Sequence, residues 1–196
     1  MTRRLTQRGQ DRRDQLMAFA TSRFAEQGYH PTSVSEIVAG LGVGKGVFYW
    51  YFDSKEQLFL EILREAQTDL RRKQQQAIVD ETDPIRRIEL GIRASMAWSE
   101  VHRDHNKLIQ FAATEAAFGE ALRRGQDIAV ADVVKHVKEA VALGLIRDTD
   151  PDVVAHAMVG VSAHLTRTFL YERGDRAEDV ADAVVSFCLH GILGQG

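Results

Sequence analysis

Residues 41–58 read Leu41-Gly42-Val43-Gly44-Lys45-Gly46-Val47-Phe48-Tyr49-Trp50-Tyr51-Phe52-Asp53-Ser54-Lys55-Glu56-Gln57-Leu58. Five aromatics run from Phe48 to Phe52 without a polar spacer, bracketed by Lys45 and Lys55. A buried strand would show such a run, but the flanks argue for helices. Upstream, Ser33-Val34-Ser35-Glu36 has the S-x-x-E spacing of a capping box, in which each side chain takes up a backbone N–H that the helix start leaves unpaired. Ile37, Val38 and Leu41 follow at helical spacing. Downstream, Ser54-Lys55-Glu56-Gln57 repeats the device as S-x-x-Q, ahead of Leu58, Phe59, Ile62 and Leu63. The aromatic run is therefore a short helix between two capped helices, with Gly40 and Gly42 supplying the turn before it. This predicts a helix-turn-helix, its first helix near 33–40 and its second near 44–51.

The second helix has a face for each task. Phe48 and Phe52, four apart, share one side and are the expected buried pair. Tyr49, Trp50 and Tyr51 cover about 200° of arc, because each residue advances ~100°. They cannot all be core, so they face outward in part. Tyrosine hydroxyls and an indole N–H donate to phosphates, and the rings suit a thymine methyl. Lys45 points a cation toward the major groove or its backbone. Gly46 lets the helix come close, with no side chain between. Lys55 sits at the start of the next helix, where free N–H groups favour phosphate, and Thr32 and Ser33 offer the same at the preceding one.

The stretch from Thr32 to Leu58 resembles the DNA-binding signature of the TetR-like transcriptional regulators. The matching groups are Thr32-Ser33-Val34, Ile37-Val38, Gly42-Val43-Gly44-Lys45-Gly46, Tyr49-Trp50-Tyr51-Phe52 and Ser54-Lys55-Glu56-Gln57-Leu58, with no gap. Glu26-Gln27-Gly28-Tyr29 is also similar to the family pattern. Gly44 stands where the family usually carries Ser or Thr, so a phosphate-binding hydroxyl is missing there, and Val47 replaces a frequently polar residue. The resemblance implies that the positions of Lys45, Gly46, Tyr49, Trp50, Tyr51 and Lys55 touch DNA, with Gly44 on the same surface. It also implies a dimer and a ligand-binding body joined to the head by a long helix.

Composition fits such a chain. It has 196 residues, 44% hydrophobic and 27% charged, with a net charge of −3. The acidic balance alone would argue against nucleic acid, but the charge is unevenly spread. Residues 1–52 carry seven Lys/Arg against four Asp/Glu, a balance of +3, while the remainder carries eighteen against twenty-four, a balance of −6. A basic head on an acidic body suits DNA binding at one end. The single cysteine, Cys188, allows no intrachain disulfide. No apolar segment follows the basic N-terminus as in a secretory signal, and none reaches membrane-spanning length. The expectation is a cytoplasmic protein with no membrane partner.

Read in order, residues 1–10 (Arg3, Arg4, Arg8) show no apolar period and are expected to form a frayed arm. Leu16, Phe19, Ala20 and Phe24 predict a first helix near 10–28. A helix from Ser54 to about Val79 is polar nearly all round in its far half, at Arg71-Arg72-Lys73-Gln74-Gln75-Gln76, as a helix bridging two parts is. Asp83-Pro84 starts a helix bearing Ile85, Ile88, Ile92, Met96 and Ser99. Asp104 is the expected cap of the next, Gly119 marks a joint, and a further helix runs to Gly144. Asp150-Pro151 repeats the cap-plus-proline start, for a helix to about Tyr171. The last helix carries Val180 to Ile192. With no strand alternation, the fold class is all-α: a helix-turn-helix head at 1–53 and a ligand-binding and dimerisation body at 54–196. The last two helices are apolar on more than one stripe, so the surplus face needs a partner. A homodimer would bury it in a four-helix interface through Leu165, Phe169, Val184, Phe187 and Cys188.

Other chemistries fail on spacing. A nucleotide loop at Gly40–Gly46 lacks the glycine and the Ser/Thr it needs, since those positions hold Ala39 and Gly46. His102 and His105 form H-x-x-H, but straddle a helix junction with no third ligand, so no metal site is expected. His156 and His164 read as core or interface histidines. No cofactor is implied and no nucleophile–base–acid set is readable. The expected function is a dimeric, ligand-responsive regulator without catalysis, most simply a repressor that leaves operator DNA when a small apolar or aromatic effector binds. The candidate effector lining is Trp98, His102, Phe111 and Met158. The alternatives are a ligand-independent architectural DNA-binding protein and a helical enzyme with an appended DNA-binding head.

Overall fold

The computed structural model describes residues 6–191, and all of them that are regular are helical. The helices are α1 (Gln7–Gln27), α2 (Val34–Gly40), α3 (Lys45–Tyr51), α4 (Lys55–Ile78), α5 (Pro84–Val101), α6 (Arg103–Thr114), α7 (Gly119–Ala142), α8 (Pro151–Leu165) and α9 (Ala177–His190). A 3₁₀ turn (Ala116–Phe118) precedes α7, and a π-helical segment (Thr166–Arg173) extends α8. Among the described residues no helix is long and apolar enough to cross a membrane.

The helix starts are where the local chemistry puts them. Ser33 Oγ accepts from the Glu36 N–H at 3.1 Å, and Ser54 Oγ from the Gln57 N–H at 3.0 Å. Asp83 and Asp150 each cap the N–H two residues on at 2.9 Å, with proline at the first helical position. Only half of the first capping box forms, because Glu36 turns to pair with Arg23 of α1. Two expectations need correcting, and part of a third lies outside the described residues. α1 begins at Gln7, not near 10, because the Thr6 hydroxyl caps Gly9 and Gln7 and Gln10 each donate to an Asp one turn on. Arg3 and Arg4 of the expected arm, and Ile192 of the last helix, lie outside the described residues. Asp104 is no cap: it lies inside the first turn of α6, which starts at Arg103.

The turn between α2 and α3 divides its glycines differently from the sequence reading. Gly42 carries the left-handed backbone, φ 64°, that the turn requires. Gly40 is the last residue of α2, and its role is space: a Cβ there would fall 2.0 Å from the Phe19 ring of α1.

The chain divides into two compact units, Met1–Ala66 with Asp104–Leu122, and Gln67–Arg103 with Arg123–Gly196. The first is centred on Leu16, Ala20 and Phe24 of α1, Ile37 of α2, Phe48 of α3, then Phe52, Leu58, Phe59 and Ile62, with Leu108, Ala112 and Phe118 completing it. Each of the Leu, Ile and Phe side chains, taken fully out of water, stabilises by about 1.5–3 kcal/mol, the alanine methyls by less. Arg13 of α1 donates to Glu61 of α4 at 2.8 Å and also pairs with Glu65. The second unit packs Ile88, Ile92 and Met96 of α5 against Val180, Ala181, Val184 and Val185 of α9, with Leu170 and Val137. Ion pairs tie its helices together: Arg87–Glu139 at 2.9 Å and Arg93–Asp182 at 2.7 Å.

Candidate nucleic-acid interface

α3 is held from below and open above. Phe48 and Phe52 are buried, as their four-residue spacing predicts, with ring centroids 5.6 Å apart. Anchored so, the helix turns its other side outward. Tyr49 is 55% and Trp50 52% exposed, far above the norm for large aromatics in a folded chain. Gly44, Lys45 and Gly46 are exposed beside them, and a Cβ at Gly44 or Gly46 would meet nothing within 4 Å. Tyr51 is intermediate, packed against the core with its ring edge-on to Trp50 at 4.5 Å. Gly44 caps α3 without a side-chain bond, so the N–H groups of the first turn are not covered by a cap hydroxyl. The result is a cation, two aromatic tips and open backbone on one short helix.

The surrounding candidates divide. Ser33 is exposed at the start of α2. Thr32 is not available to phosphate: it is fully buried, and its hydroxyl donates to the Gly28 carbonyl at 2.8 Å. Lys55 is also turned inward. Its Nζ donates to the carbonyls of Tyr29 at 2.8 Å and Thr32 at 2.9 Å, with His30 at 3.4 Å, and lies 4.3 Å from the Tyr29 ring centre. Burial pulls the pKa of this ammonium below the usual lysine value. Tyr29 entered the sequence reading only as part of the family pattern, with no role, and His30 was passed over. Tyr29 stacks on Phe111 at 5.2 Å and meets Phe24, Phe59 and Phe118 edge-on or tilted, while His30 Nε2 is 2.9 Å from Glu115. An aromatic directly after the glycine that ends α1 was the available signal. Arg13 and Arg23, both counted in the basic head, are engaged in ion pairs, Arg13 with Glu61 of α4 and Arg23 with Glu36 of α2.

The candidate effector residues are partly brought together. Trp98 is buried in the second unit, and its indole N–H donates to Asp69 at 2.8 Å. His102 stacks parallel on it, 4.1 Å between centroids at 9°. The hydrogen bond from Trp98, then that from Arg72, holds the Asp69 carboxyl below its usual pKa. Met158 is partly buried against the apolar core of that unit. Phe111 belongs to the aromatic cluster of the first unit.

The dimer candidates divide too. Val184 is fully buried within its own unit, so it has no surface to offer a partner. Leu165, Phe169 and Cys188 are partly buried against the same core, and burial pushes the Cys188 thiol up. Phe187 is 47% and Val153 63% exposed, and Ala157, Gly160 and Ala183 are exposed on the same two helices. His156 and His164 are exposed rather than core. Among the described residues no group of three or more His, Cys, Asp or Glu is placed to hold a metal.

Fold and site define a helix-turn-helix DNA-binding protein. Residues 16–62 match the family described as bacterial regulatory proteins, tetR family. The chain is 31% identical over 155 residues to the HTH-type transcriptional repressor KstR2 of Mycolicibacterium smegmatis, covering 73% of this chain and 72% of that one. It is 28% identical over 195 residues, 96% of each chain, to the HTH-type transcriptional regulator YdgC of Bacillus subtilis. The fold is similar to that of the fatty acid degradation regulator FadR of Bacillus halodurans, with a TM-score of 0.83, 16% identity, and coverage of 98% and 100%. The chain belongs to the TetR family of transcriptional regulators, and it is not an enzyme.

Proposed function

We propose that the protein is a dimeric repressor that leaves its operator when a small apolar or aromatic effector binds. Residues 1–53 carry the DNA contacts, and 54–196 carry the effector site and the dimer contacts. The observation that carries the DNA reading is the exposed Lys45, Gly46, Tyr49 and Trp50 on a helix anchored by Phe48 and Phe52. Ser33 and Gly44 extend that surface. The exposed Phe187, Val153 and small residues of α8 and α9 favour a two-fold pairing of these helices. A relative named a repressor supports negative control, and a neighbour named for fatty acid degradation supports an apolar effector. No strongly basic cluster interrupts the apolar face of α5 to receive a polyanion. Release would be a population shift: the effector prefers the state whose two heads are wrongly spaced for half-sites ~34–36 Å apart.

The test is selection of duplexes from a random-sequence library by the purified protein, then release from the selected duplex by a panel of apolar compounds. Enrichment of a two-fold symmetric site and release by at least one compound support the reading. Failure to enrich any sequence refutes it. Enrichment with no compound-dependent release or thermal shift favours the ligand-independent architectural alternative.

A further inference from the structure

We infer that His136 of α7, beside Gly91 of α5 and Gln74 of α4, is the polar anchor of the effector site, and that its Nδ1 hydrogen-bonds an uncharged hydroxyl or carbonyl oxygen of the bound molecule. The inference rests on the effector-responsive reading above and names the chemistry of its site. Two departures from good packing in the second unit carry it. His136 Nδ1 is buried and has no hydrogen-bond partner. In a neutral imidazole each ring nitrogen is either a donor or an acceptor, so a buried one left alone costs stability. Gly91 lies in the middle of α5, where alanine would make a better helix, and it is half-buried. Yet a Cβ there would meet nothing within 4 Å, so close packing does not demand a glycine, and the missing side chain leaves open space.

The helices bring the two together. Gln67 of α4 packs against Gly125 of α7, and Arg71 of α4 donates to Asp132 of α7 at 2.8 Å, so α4 and α7 run the same way. Trp98 of α5 donates to Asp69 of α4, and Gln74 of α4 to the Gly91 carbonyl at 3.4 Å, so α5 runs the opposite way. Arg87 of α5 pairs with Glu139 of α7 at 2.9 Å. His136 lies one turn on from Asp132 and one turn before Glu139. Gly91 lies one turn on from Arg87, and Gln74 one turn on from Arg71. The three therefore meet at one level, between the two ion pairs. Charge decides what suits the space. Arg71 and Lys135 already hold Asp132, and Arg87 holds Glu139, so a carboxylate would have to break a pair. Burial, and then the Arg87 guanidinium, disfavour the charged imidazole, and they disfavour a cationic ligand for the same reasons. An uncharged oxygen fits: a hydroxyl serves either tautomer, and a carbonyl serves the one bearing Nδ1–H. The Gln74 amide, whose bond to Gly91 is long, is a second polar group at that level.

The probes are octanol, benzyl alcohol and acetophenone, with octanoate, benzoate, octane and toluene as their charged and apolar counterparts. Binding to the full chain is read from the melting temperature across a titration. His136 is read from the nitrogen resonances of its ring, assigned by their loss in His136→Leu. We expect at least one alcohol or the ketone to raise the melting temperature saturably and to move the Nδ1 resonance. Its counterparts should bind about tenfold or more weakly, as loss of one hydrogen bond does. Gly91→Leu, which fills the space, and His136→Leu should each weaken that probe to a similar degree. Gly91→Ala, whose methyl has room, should melt at or above wild type; a lower melting temperature would mean that the space is filled and overturns the inference. If the larger substitutions misfold, the wild-type resonance still decides. An Nδ1 resonance that no probe moves marks a buried water only and overturns the inference. So does tighter binding of a carboxylate, or binding that neither leucine variant weakens. A compound that releases the selected duplex without moving Nδ1 overturns this inference alone. Release by no compound, from protein that does select a duplex, overturns the effector reading and this inference together.

Discussion

Lys45 is the exposed cation at the first position of α3, flanked by two glycines whose missing side chains leave it unobstructed. Lys45→Ala should weaken binding to the selected duplex by ~1–3 kcal/mol if the ammonium reads a base, or reduce the salt slope by about one if it meets phosphate. Electrophoretic titration at two salt concentrations reads both, and no change in either would remove Lys45 from the interface. A second residue reports on the body. His136 of α7 has a buried Nδ1 without a hydrogen-bond partner. Burial first, and then the Arg87 guanidinium, lower its pKa from the ordinary histidine value; Lys135 works in the same direction, while Glu139 and Asp132 oppose. A base whose folded pKa is depressed is protonated more readily when unfolded. Its neutral form therefore leaves stability intact above the unfolded pKa, and stability falls as pH drops through that value toward the folded one. His136→Leu should flatten the fall in urea midpoint between about pH 7.5 and 5.5. An unaltered fall would assign the pH dependence to other groups.

Helix boundaries were legible because caps are local. Ser33, Ser54, Asp83 and Asp150 announce their helices within three or four residues of sequence, and the structure begins helices directly after each. What sequence spacing could not show depends on partners distant along the chain. Lys55 reads as a cation at a helix start, and only the fold brings carbonyls from 29–32 to it. The sequence assigned Gly40 to the turn, because its real constraint is Phe19, twenty-one residues earlier. Gly40→Ala should push that ring away and cost about 1–3 kcal/mol of overpacking, more than the ~1 kcal/mol that alanine's helix preference returns. A melting temperature at or above wild type would show that Phe19 swings aside freely. The π-helical turn at Thr166–Arg173 also left no mark in the apolar spacing. Contacts made far away accompany it: Thr166 to the Met96 sulfur at 3.0 Å, and the Tyr171 hydroxyl donating to the Ser99 carbonyl at 3.2 Å.

For the whole molecule, the proposed two-fold pairing makes Phe187 the decisive side chain, since it is exposed in the single chain while Val184 beside it is not. Phe187→Glu should leave helical content intact and turn the dimer into a monomer, because an unpaired charge buried in an interface costs several kcal/mol. Sedimentation of the variant as an intact dimer would place the interface elsewhere. The proposed effector site is checked by Trp98. In Trp50→Phe it is the sole indole, and a compound that releases the duplex should shift its emission. Release with unmoved emission would put the site away from Trp98.

The first unit also sets a timetable. Its aromatic core takes Leu108, Ala112 and Phe118 from a segment roughly fifty residues downstream of Ala66. A ribosome adding about 5–20 residues per second delivers that segment several seconds after α1–α3 have emerged. During that interval Tyr29 and Phe59 lack Phe111 and Phe118, and His30 lacks Glu115. A nascent chain stalled before Leu108 should therefore bind DNA poorly although every residue of its recognition helix has been made, and competence should arrive only after synthesis passes Leu122.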